Sequence, residues 1–108
     1  MLFRSLDRIT PLARLIALDV DFHSAIYRLA GNPAIEEMIA PQWPHMRRSM
    51  ATVLAELDYR TSAWAEHETI AAKIFAGDAN AADGAALAHA VAAGRMTEDR
   101  LKRVDEAA

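Results

Sequence analysis

A chain of 108 residues with a net charge of -3 and no cysteine has room for one small domain, and it excludes a disulfide framework or a thiolate zinc site. Its arginines are scattered apart from the pair Arg47 and Arg48, so there is no basic stripe for nucleic acid, and no apolar run reaches the roughly 18 residues of a membrane span. The opening residues lack a signal-peptide core, alanine is abundant and β-branched residues never alternate with period two, which together predict a cytoplasmic, all-α domain.

Residues 1 to 10 read as a lead-in or the end of a truncated helix, and residues 11 to 108 as the bundle itself. Thr10 as N-cap and Pro11 as the first helical position start a helix that runs to Ala30, and Gly31 ends it. At about 100° per residue, Leu12, Leu15, Ile16, Asp19, Phe22, His23, Ile26, Tyr27 and Ala30 share its inward side. Asn32 caps the next helix and Pro33 opens it. That second helix, to about Leu57, carries Ile35, Ile39, Trp43, Met46, Met50, Val53 and Leu57 on one face, with a kink or break predicted at Pro41 and Pro44. Asp58 to Thr61 reads as a loop. A third helix follows from Ser62 to Ala76 with Trp64, His67, Ala71, Ile74 and Phe75 inward. Gly77 closes it, Asp78 caps a fourth helix, and Ala82, Ala86, His89, Ala93, Met96 and Val104 share a face of that helix to about Val104, beyond which the chain frays. Short turns between long helices predict an antiparallel helical bundle of four to five helices.

Three histidines fall on inward stripes of three different helices: His23, His67 and His89. Asp19 joins them one turn before His23. Neutral imidazoles with one carboxylate suit a divalent metal such as Zn²⁺, Ni²⁺ or Mn²⁺. The same residues also admit a plainer account, in which each histidine is a core residue bonded to a backbone carbonyl and Asp19 is a buried partner for one of them. His45 lies off the apolar stripe and is left out of the set. Glu66 and Glu68 flank His67 but point off its face, so neither is taken as a general base.

The series Asp19-x-x-Phe22-His23, Gly31-Asn32-Pro33, Glu66-His67 with Ile70, Gly77-Asp78, Ala82 and His89 resembles the FCD domain. That domain is the effector-binding C-terminal part of GntR-type transcriptional regulators of the FadR subfamily. The resemblance covers about residues 12 to 104. It implies that Asp19, His23, His67 and His89 match the metal ligands of the family's metal-binding members. It also implies a small organic acid as effector in the bundle cavity, no catalysis, and DNA contact only through a winged helix-turn-helix domain absent from this chain. A carboxylate effector calls for an arginine. Arg47 lies about 100° from Met46 on the flank of the second helix's inward stripe and is the first choice, with Arg48 second. The absent upstream helices favour a homodimer. Two other functions compete with this one: a small metal-dependent enzyme, and a plain dimerisation module with core histidines.

Overall fold

The computed structural model describes residues 10–107. These residues form five α-helices and a 3₁₀ turn, with no strand among them: α1 (Leu12–Leu29), α2 (Pro33–Ile39), the turn Ala40–Gln42, α3 (Trp43–Leu54), α4 (Leu57–Phe75) and α5 (Ala79–Ala107). The all-α bundle is as expected. Except for Thr10, the lead-in expected over residues 1 to 10 lies outside the described residues.

Two glycines make the sharpest turns. Gly31 has φ 71° and Gly77 has φ 74°, a region that costs a residue with a Cβ. A Cβ built on either meets nothing within 4 Å, so backbone conformation and not lack of space selects glycine. At the end of α4, the Gly77 N–H donates to the Ile74 carbonyl and the Asp78 N–H to the Lys73 carbonyl, the paired bonds of a Schellman turn. Asp78 then accepts the Ala81 N–H at 3.0 Å, and Asn32 accepts the Ala34 N–H at 3.0 Å, so each polar residue caps the helix it precedes. Thr10 does not do the same for α1. Pro11 is extended, with ψ 144°, no side chain caps the helix, and α1 begins one residue later.

The break predicted at the prolines occurs. α2 stops at Ile39, Pro41 sits in the 3₁₀ turn, and Pro44 occupies the first turn of α3, where no N–H is required. The next boundary differs from expectation. The chain turns at Ala55 and Glu56, and residues 58 to 61 are the first turns of α4, not a loop. Ser62, which reads as a cap, instead donates its hydroxyl to the Asp58 carbonyl inside the helix. The turn is pinned by tertiary contacts: Arg60 donates its Nε to the Leu54 carbonyl at 2.6 Å, and Arg100 of α5 pairs with Glu56 at 2.6 Å.

The core gathers Leu15, Val20, Met50, Val53, Leu54, Tyr59, Ala63 and Trp64 from α1, α3 and α4. Ala30, Leu57, Phe75 and Val104, expected inward, are exposed instead. For Leu57 the cause is the shifted boundary, which puts it at the start of α4. α4 and α5 pack most closely on each other, while α1 lies chiefly on α3. α5 continues past Val104 to Ala107, with its last turns exposed.

Candidate metal centre

Four predicted residues meet where α1 faces α4 and α5. Asp19 and His23 come from adjacent turns of α1, His67 from α4 and His89 from α5. The Asp19 Oδ1 lies 3.1 Å from His23 Nε2 and 3.2 Å from His67 Nε2. The three histidines place one ring nitrogen each within 4.8 Å of one another. His67 is 1% exposed, His89 6% and Asp19 7%, whereas His23 reaches the rim of the group.

The geometry of these contacts is informative. At 3.1 and 3.2 Å a hydrogen bond is within reach, yet Asp19 Oδ1 and His67 Nε2 have no hydrogen-bond partner among the described residues. Their lone pairs and N–H directions are not aimed at each other. Buried polar atoms rarely remain unsatisfied, because each costs about 1–3 kcal/mol. Donor atoms sharing one divalent ion lie about 3.0 Å apart at right angles and about 3.4 Å apart at the tetrahedral angle, given bonds of about 2.1 Å. The two observed spacings fall in that interval. Buried, close, unaligned donors of this kind fit a shared cation better than mutual hydrogen bonds.

The protonation states agree with that fit. Burial alone would raise the Asp19 carboxyl, but the imidazoles of His23 and His67 outweigh it and hold the group well below the usual carboxylate range. Burial pushes His67 down, against the pull of Asp19, so its ring is neutral and able to coordinate at neutral pH. Phe22 stacks on His67 at 4.2 Å between centroids, and Trp64 lies against the same ring at 5.1 Å, so packing fixes its orientation.

Two further polar residues belong to this region. Helical phase predicts Glu66 off the inward face; its Oε1 bonds His89 Nδ1 at 2.6 Å, across the α4–α5 pair. A carboxylate on one ring nitrogen fixes the tautomer and leaves the other nitrogen free for a metal. The position one residue before His67 carried no such signal, since α5's approach along that flank is a tertiary fact. Tyr59, assigned to a loop, is buried on α4; burial, with the charges of Glu66 and Asp19 nearby, pushes its phenol up to about 12 and keeps it protonated.

Two arginines, Arg47 and Arg48, are expected to meet an effector. Arg47 and Arg48 are both exposed on α3, and neither makes an ion pair or hydrogen bond with the cluster. Arg48 donates to the Nδ1 of His45, the histidine left out of the metal set.

No curated protein and no solved structure matches the chain significantly. The family model for the FCD domain does match, over residues 3–92, a span that holds all four clustered residues as well as Glu66. With five-sixths of its length in that match, the chain belongs to the FCD domain family.

Proposed function

We propose that this chain is the effector-sensing domain of a GntR-type transcriptional regulator, in which Asp19, His23, His67 and His89 hold one divalent metal that helps bind a small carboxylate. The observation that carries the reading is the pair of buried, unaligned donor atoms, Asp19 Oδ1 and His67 Nε2. When bound, the metal supplies a positive centre for a carboxylate oxygen. The chain's own residues do the rest. Asp19 supplies a permanent negative charge, His67 a neutral ring held by Phe22 and Trp64, and Glu66 sets the tautomer of His89. Zn²⁺, Ni²⁺ and Mn²⁺ all accept this set of donors.

Arg47 remains the arginine this reading assigns to the effector's carboxylate, with Arg48 second because His45 already engages it. Since both are exposed, an effector that meets them extends from the cluster to the surface of α3. Self-association as a homodimer belongs to the same reading. Leu87, Val91, Leu101 and Val104 of α5 are exposed and available for it. DNA contact would lie in a separate winged helix-turn-helix domain. The reading assigns no catalytic role. A hydrolytic alternative would call on Glu66 as base, and turnover assays on small acids and esters test it.

The test of the reading is metal content by mass spectrometry after purification and dialysis. One ion per chain in the wild type, and a near-complete loss in His67→Ala, is the expected result. Equal metal in both proteins returns the histidines to the role of core residues.

A further inference from the structure

One turn beyond His23, the same face of α1 leaves the polar cluster and meets α2 and the start of α3 instead. A half-open cleft of about 180 Å³ lies there, lined by Ser24, Tyr27 and Arg28 of α1, Glu36 and Ile39 of α2, and Trp43 of α3. The Gly31 turn makes it, because the left-handed φ folds α2 back across the end of α1. Its walls combine two aromatic rings, Tyr27 and Trp43, with centroids 6.2 Å apart and tilted by 47°, and the branched side chain of Ile39. Its polar groups are one cation, one anion, two hydroxyls and the Trp43 indole N–H.

The two charges are what gives the cleft its selectivity. Arg28 and Glu36 line one small cleft, yet neither has an ion-pair partner among the described residues, and they do not pair with each other. Helix-end electrostatics explain the sign of each, a cation in the last turn of α1 and an anion in the first turn of α2. Both side chains are exposed, so each is solvated on its own and remains free to engage a ligand. A ligand that satisfies both must carry a carboxylate for the guanidinium and an ammonium for the carboxylate. The aromatic and aliphatic walls call for a compact apolar group between them. A cavity of about 150 Å³ accepts benzene, so a cleft slightly larger holds a molecule of the size of a branched-chain amino acid.

We propose that the cleft between α1, α2 and Trp43 binds a free, zwitterionic α-amino acid with a small apolar side chain. The carboxylate meets Arg28, the ammonium meets Glu36, and the side chain lies against Ile39 and Trp43. This site is separate from the metal cluster and from the carboxylate effector proposed for it, so it stands or falls without that reading.

The test uses three probes of nearly one shape: L-leucine, 4-methylpentanoate, which lacks the ammonium, and isoamylamine, which lacks the carboxylate. Binding is followed by amide and indole chemical shifts in the 108-residue chain, once loaded with zinc and once in chelator. L-leucine is expected to saturate shifts at Ser24, Arg28, Glu36 and the Trp43 indole, equally in both states. Each single-charge probe binds about tenfold more weakly, the loss expected when one charged contact is missing. Arg28→Met reduces L-leucine to the level of isoamylamine and leaves isoamylamine unchanged. Glu36→Gln does the reverse with 4-methylpentanoate. Both substitutions are at exposed positions, so the fold is kept. Equal binding of all three probes overturns the proposal, as does the absence of saturation. So does a response confined to His23, His67 and His89 that vanishes in chelator, which would place the carboxylate on the metal and leave the cleft without a ligand.

Discussion

α1 presents one continuous face to two very different surroundings. At Asp19 and His23 it meets α4 and α5, and polar groups are buried, crowded and unaligned. At Tyr27 and Arg28, a turn further on, it meets α2 and Trp43, and polar groups are half-open and apart. The difference lies in what packs opposite, not in the helix. Long helices opposite Asp19 exclude water and bring nitrogen donors within 4.8 Å. A seven-residue helix opposite Tyr27 closes only one side. Burial suits the first place to the proposed cation, which takes several ligands from the protein. Openness suits the second to the proposed molecule, which brings its own opposite charges.

The largest expected effect breaks the first region. His67→Ala removes a fully buried ring that Phe22 and Trp64 enclose and leaves the Asp19 carboxylate without a neighbour on α4. A cost of about 3 kcal/mol in chelator is expected from the cavity alone. Metal binding should fall to background. In the wild type, free metal at about 100 times the dissociation constant should add about 2.7 kcal/mol, which for a domain of this size raises the melting temperature by about 10–20 °C. The His67→Ala melt should not move when metal is added. An equal shift in both proteins would mean the ion sits elsewhere.

Acid should act next. Asp19 is held below its usual range, so its contribution is present above pH about 4 and is lost as pH falls further. His67 is also held down; below pH about 6.5 the unfolded chain takes up a proton that the folded chain resists. Both push the same way. Unfolding free energies from denaturant titrations in chelator should therefore be level from pH 8 to 7 and decline below about 6.5, with a limiting slope near 1.4 kcal/mol per pH unit from this one histidine. His67→Ala should flatten the part of the curve between pH 7 and 5. A wild-type curve already flat there would show that His67 titrates normally in the fold.

These effects also show what the residues alone could reveal. The four-residue set was legible because Asp19, His23, His67 and His89 each fall on an apolar stripe, and helical phase carries a stripe reliably within one element. The two glycine turns were legible because the backbone at Gly31 and Gly77 needs a positive φ. The start of α4 was not, since Ala55 and Glu56 carry no turn chemistry and the boundary is set by Arg60 and Arg100 reaching back from elsewhere. Phe75 was misplaced for a related reason. Its phase is inward, but no element covers the end of α4 on that side, and it is 90% exposed. Glu66 and the Arg28–Glu36 cleft were invisible because each depends on how two helices lie together.

Glu66→Gln sharpens the comparison at a smaller scale. The amide keeps the shape and can still bond the His89 ring, but it no longer favours the tautomer that frees the other nitrogen. Metal affinity should fall by about 10–100-fold, the usual range for losing such a partner. Because Glu66 is partly exposed, stability in chelator should change by under about 1 kcal/mol. Competition with a chelating dye reads the affinity, and a melt without metal reads the stability. A loss of stability with affinity intact would make the bond to His89 a structural tie between α4 and α5 and no more.

The smallest effects are expected where metal binding should not reach. His45 is exposed on α3 and engaged by Arg48, and Arg28 and Glu36 face the cleft one turn beyond the cluster. His45→Ala, Arg28→Met and Glu36→Gln should each leave metal affinity within about twofold and stability within about 0.5 kcal/mol, as for surface changes without buried partners. Long-range electrostatics set the only coupling expected. Removing the Arg28 cation should slightly favour a bound divalent ion and removing the Glu36 anion slightly disfavour it, and both shifts should shrink in 0.15 M salt, where the screening length is about 8 Å. Titrating zinc into each variant at low and at physiological ionic strength measures this. If His45→Ala loses metal as His67→Ala does, the ion is bound at α3 and not in the cluster. If either cleft variant loses it at high salt, the two regions of α1 form one site, and the contrast between them fails.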